Sequence, residues 1–123
     1  MTLRQLSTMA DQVIASTQQK LPAAIREPAT AVPIIYELAP SNDVINERLD
    51  SDLLGLFTGP SHGTELDQDQ PMPPQIILYL ENLWDYAGGN HADYCREVRI
   101  TYLHELGHYF GWDEDELEAR GLA

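Results

Sequence analysis

His104, Glu105 and His108 stand together in the run HELGH. Residues four apart on a helix project side by side, so His104 and His108 can place two imidazole nitrogens on one cation. Neutral imidazole is a good donor to zinc, and a carboxylate that stays off the metal can take a proton from water. Winding the segment at about 100° per residue sets Glu97, Thr101, His104 and His108 in a narrow polar strip, with Glu105 on its border. The rest of the circumference carries Cys95, Val98, Ile100, Tyr102, Leu103, Leu106, Tyr109 and Phe110. A helix apolar nearly all round is expected to be buried, with its polar strip opening into a cleft. A hydrophobic surround also raises the cost of leaving two imidazoles unpaired.

HExxH is the spacing of zinc metallopeptidases. In that chemistry the metal polarises the scissile carbonyl, and Glu105 is general base and then proton shuttle to the leaving amine. Gly111, three residues past His108, permits the left-handed turn that ends a helix. A catalytic zinc site needs a third protein ligand and an open position for water. Ten residues past His104 stands Glu114, the register in which HExxHxxGxxH proteins place that ligand. Asp113 and Asp115 are the next candidates, with His62 and His91 behind them. The acidic run has a competing structural explanation, because Asp113 with Glu116 fits a capping box for a short final helix ending near Gly121.

The neighbouring residues have plainer readings. His62 lies in a Gly/Pro loop and His91 at a helix start, both positions for solvated side chains. Cys95 reads as small core filler. Tyr102 and Tyr109 fall on the apolar side, where packing outweighs a role as an oxyanion donor. Glu97 is a solvated face residue in preference to a carboxylate orienting an imidazole.

These groups need elements to hold them. Leu3, Leu6, Ala10, Val13, Ile14 and Leu21 form one stripe of an amphipathic helix, with Thr2 and Gln5 as its capping box. Pro22 opens a short second helix in PAAIRE. Residues 31 to 38, AVPIIYEL, 53 to 58, LLGLFT, and 75 to 80, QIILYL, are strand candidates, the first placed at a strand start or sheet edge by Pro33. APSNDVINERLDSD has room for one helical turn. GPSHGTELDQDQPMPP, from Gly59, has almost nothing apolar to bury and reads as a mobile surface loop. NLWDYAGG reads as a turn-rich connection, and Asn90 with Asp93 as the start of the main helix. Helix, three strands, long helix and short tail predict an α+β domain with helices on one face of a small sheet.

At 123 residues the chain fits one domain, 1–123, able to bury roughly two-thirds of its unfolded surface. A single cysteine excludes an internal disulfide and points to an intracellular protein. No secretory signal or bilayer-spanning run is present, so a soluble, cytoplasmic chain is expected, with no membrane partner. A net charge of -13 and the lack of any basic cluster argue against nucleic acid. That charge would attract cations and basic peptides, although keeping a small protein soluble is explanation enough. Only fifteen residues follow His108 in this sequence, too few for a second subdomain, so a shallow, open site for short or flexible peptides is expected.

LLGLFTG, PPQIILYLENL and CREVRITYLHELGHYFGWDEDELEARGL together resemble a small bacterial family of zincin-like, minimal metallopeptidase-like domains. KLPAAIRE and AVPIIYEL extend the resemblance over nearly the whole chain. It implies an α+β zincin-like fold, with a small mixed sheet packed against an N-terminal helix and a long HExxH helix. It also implies a zinc site of His104, His108 and an acidic residue after the glycine, Glu114, with Glu105 as the catalytic base. Members often carry aspartate near that position, where this chain has the longer glutamate. In related zincins an edge strand pairs with extended substrate, and residues 55 to 58 are the candidate here.

The leading expectation is a zinc-dependent peptidase acting on a peptide or protein. Its rivals are a metal-binding domain without turnover, working through a partner protein, and an interaction module whose acidic surface does the binding.

Overall fold

The computed structural model describes residues 1–42, 44, 50–62 and 73–122. The helical turn expected in APSNDVINERLDSD and the mobile loop expected from Gly59 fall largely on residues 43, 45–49 and 63–72, outside the described residues. Helix α1 (Leu3–Gln19) is followed by α2 (Ala23–Thr30), β1 (Ile34–Glu37), β2 (Gly55–Thr58) and β3 (Gln75–Tyr79). Helices α3 (Leu80–Tyr86), α4 (His91–Phe110) and α5 (Glu114–Ala119) complete the order.

The caps fall where the sequence puts them. Thr2 and Gln5 form the reciprocal box that starts α1. The Asn90 side chain accepts from the Asp93 amide to start α4, and Gly111 ends it in the left-handed region at φ 76°. In α1 the buried stripe is Leu6, Ala10, Ile14 and Thr17, continued by Leu21. Leu3 belongs to the solvent side, at 41 % exposure, and Thr17 takes a core position because its hydroxyl is satisfied by the Val13 carbonyl at 2.7 Å. Pro22 is the cap of α2 and lies just outside it, and that helix runs on through Pro28.

NLWDYAGG is mostly helix, a correction to its reading as a connection. Leu80, read as the end of a strand, opens α3, and Leu80 and Leu83 are fully buried. Burial of that pair outweighs the weak local signal. The two glycines follow the helix, both with positive φ, and make the turn into α4.

The sheet is mixed, in the order β1-β3-β2. β1 runs parallel to β3 and β2 antiparallel to it. Register brings Ile34, Ile76 and Phe57 into one row and Tyr36, Leu78 and Gly55 into the next. With alternation along each strand, these rows share a face. The helices pack on that face, α4 against β2 and β3 and α1 against α4. The core joins Ile76 and Leu78 of β3 to Leu6, Ala10, Tyr94, Val98, Tyr102 and Leu106. This is the expected α+β arrangement, and it leaves β2 at a sheet edge alongside α4.

Candidate metal centre

His104 and His108 sit one helical turn apart on α4 with ring centroids 4.6 Å from each other. A ligand atom from each, and a carboxylate oxygen of Glu105, all lie within 4.8 Å of one another. The imidazoles are half-exposed, while the Glu105 side chain is 8 % exposed. Its Oε1 is 3.3 Å from His108 Nδ1. Burial holds the Glu105 carboxyl above the usual carboxylate range, against the opposing pull of His108, His104 and a hydrogen bond from the Phe57 backbone. Two accessible nitrogens and a carboxylate are a donor set that suits zinc, so the residues present fit such an ion.

β2 supplies the wall. A Cβ on Gly55 would stand 2.7 Å from Thr101 Cγ2 and 3.3 Å from Glu105 Cγ, so only glycine lets the strand approach α4 this closely. The Tyr79 amide donates to the Leu54 carbonyl at 3.0 Å, which fixes the phase of the antiparallel ladder. Alternation then turns the N–H and C=O groups of Gly55 and Phe57 toward the free edge. The Phe57 amide meets Glu105 there. Residues 55 to 58 are expected from the sequence as a substrate-pairing strand, but the close approach of Gly55 to Thr101 and the bond from the Phe57 amide to Glu105 are not, since a missing side chain and a backbone group leave no pattern.

Glu114 lies in the first turn of α5, outside the cluster of three but touching it. Its Oε1 is 2.5 Å from His104 Nδ1. A second glycine makes this contact possible. A Cβ on Gly107 would lie 3.0 Å from Leu117 Cδ1, and its absence lets α5 fold back onto α4. The register of the motif singles out Glu114, and the returning helix brings it to His104.

The remaining candidates are held elsewhere. Asp113 caps α5 by accepting from the Glu116 amide at 2.8 Å, as its structural reading predicted, while Glu116 pairs with Arg120 in place of closing the box. Asp115 is exposed. His62 donates its amide to the Tyr109 carbonyl at 2.7 Å, and its ring lies against Tyr109 and Phe110. His91 is exposed at the start of α4, thirteen residues and so ~20 Å from His104.

The strip on α4 is also less uniform than its winding suggests. Thr101 is buried under Gly55, and Ile100 is 43 % exposed where a buried side chain was expected. The tyrosines on the apolar side are buried, Tyr102 accepting from Gln18 Nε2 at 3.0 Å. Cys95 packs at the margin of the core, and burial pushes its thiol pKa up, as fits filler and not a nucleophile.

A two-histidine helix packed on a small mixed sheet, with a carboxylate between helix and edge strand, defines a zincin-like α+β fold. The chain matches the zincin-like metallopeptidase family over residues 29–122 and belongs to it. No curated protein matches the chain.

Proposed function

We propose that this chain is a zinc-dependent peptidase that hydrolyses peptide bonds with water. The observation that carries the reading is the grouping of His104, His108 and the buried Glu105 against the edge of β2. His104 and His108 hold the metal, and Glu114 is the third protein ligand. Glu114 is 67 % exposed, so its side chain can swing from His104 toward the ion without disturbing the core. A bound zinc ion supplies Lewis acidity to the scissile carbonyl and lowers the pKa of water to about 7.

Glu105 does the proton work. It accepts a proton from the attacking water as oxygen bonds to the carbonyl carbon, then delivers it to the nitrogen as the C–N bond breaks, leaving a carboxylate and an amine. Burial suits it to this task, because a carboxylate whose pKa is held above its ordinary range takes a proton from water more readily. The outward N–H and C=O of Gly55 and the C=O of Phe57 offer an extended peptide a strand to pair with. Among the described residues no helix is long and apolar enough to cross a membrane. A cytoplasmic setting fits the single thiol of Cys95.

Glu105→Gln tests the reading. Zinc content should be retained, while cleavage of a mixed peptide library falls by about 10²- to 10⁴-fold. Equal turnover in the variant would remove Glu105 from its role. Bound zinc with no cleavage by the unaltered protein would favour a metal-binding domain that acts through a partner.

A further inference from the structure

Beside the histidines, α4 and the start of β2 part around a cavity of about 380 Å³, a volume in the range of small-ligand sites. Six aliphatic side chains wall it: Leu53, Leu54, Ile100, Leu103, Leu117 and Leu122. They come from four separate parts of the chain. Leu117 and Leu122 are buried, whereas Ile100 and, at the mouth, Tyr86 are 43 % and 68 % exposed. An isoleucine and a tyrosine are thus left open to solvent at one cavity, where an occupant could cover them.

The cavity is continuous with the metal centre, because His104, Glu105 and Glu114 line it too. A peptide whose scissile bond lies at Glu105 therefore carries a neighbouring side chain over the aliphatic walls. Charge at the cavity is one-sided. Glu97 joins Glu105 and Glu114 in the lining, with no lysine or arginine among the lining residues, in a chain of net charge -13. An acidic residue here would meet like charge and lose its hydration to hydrocarbon, whereas lysine or arginine next to the seated residue would meet attraction.

Direction follows from the strand. The cavity lies at the Gly55 end of β2, and Phe57 and His62 lead away from it. Antiparallel addition, the commoner pairing, runs a substrate toward the Gly55 end, so the seated residue is C-terminal to the bond that is cut.

Resting on the peptidase reading for its cleavage half, we propose that this cavity selects substrates. It takes one large aliphatic or aromatic side chain on the C-terminal side of the scissile bond, favours a basic residue beside it and rejects an acidic one.

The test uses one fluorogenic peptide series that differs at a single position, Leu, Ala or Asp, each made with Lys or Glu next to it. Cleavage sites are read by mass spectrometry. The Leu peptide should exceed the Ala peptide in kcat/KM by at least about 10-fold, with Asp lower still and Lys above Glu at the adjoining position. Ile100→Asp, at a solvent-exposed position, should reduce the preference for Leu over Ala and leave zinc content unchanged. The same peptides titrated into the Glu105→Gln protein and followed by NMR should shift Leu53, Ile100 and Leu122 in the same rank order. Cleavage of all peptides at one rate, or binding with no rank order, overturns the proposal while hydrolysis itself stands. Ranked binding without any cleavage by the unaltered protein supports the cavity and overturns the peptidase reading.

Discussion

Helix α4 has two working faces, and they treat polar atoms in opposite ways. Toward α1, two tyrosine hydroxyls are tied down: Tyr94 Oη donates to the Leu6 carbonyl at 2.9 Å, and Tyr102 Oη accepts from Gln18. Both rings are fully buried. Toward β2 and α5, a carboxylate is equally buried, yet its neighbours are two half-exposed imidazoles and one backbone amide. The first face uses polar atoms to lock a packing. The second holds groups that a ligand can complete, at a cost in stability that the first face offsets.

The contrast can be broken from either side. Tyr102→Ala removes a ring from the locked face and should cost about 3–5 kcal/mol in chemical denaturation, with folded protein still binding zinc. A variant that kept its stability would show that the face is not a core. His108→Ala works the other way. The side chain is half-exposed, so the metal-free melting temperature should hardly move, while zinc affinity falls by more than about 100-fold in competition with a chelator dye. Large unfolding in that variant would mean that the imidazole serves packing.

Gly55→Ala sits between the two. The added methyl meets Thr101 Cγ2 and should cost roughly 1–3 kcal/mol while pushing β2 off α4, lowering turnover more than zinc affinity. Thr101→Ser, which deletes the opposing methyl, should recover part of the loss. The smallest effect concerns pH. Burial raises the Glu105 carboxyl, so in metal-free protein the protonated form favours the fold. That contribution is present below the ordinary carboxyl range and is lost as pH climbs through the raised value. Glu105→Gln should flatten melting temperature against pH across that window, and an unchanged slope would place the titration elsewhere.

Local signals carried a good part of this architecture. The caps at Thr2, Asn90 and Gly111 are written in one or two residues each, and the strands in short apolar runs bounded by turn formers. The HELGH motif brings His104, Glu105 and His108 together through helical periodicity alone. Features that depend on docking were not accessible. Helix α3 has no side-chain cap, and it exists because Leu80 and Leu83 are buried by other elements. Ile100 sits on an apolar winding yet faces a cavity, because β2 and the tail close over Thr101 and Leu103 and leave the next position open. Glu114 could be counted to by register, but its contact with His104 needs Gly107 to admit Leu117.

Trp112 lines the hollow on the other side of the histidines, stacked on Phe110 at 4.7 Å with the Arg120 guanidinium 4.0 Å above its ring. The only other tryptophan, Trp84, lies edge-on to Tyr94 in α3. The chain thus carries its own optical gauge of metal loading: cobalt or copper seated between the imidazoles would quench the emission of Trp112, and Trp84→Phe would leave that signal standing alone.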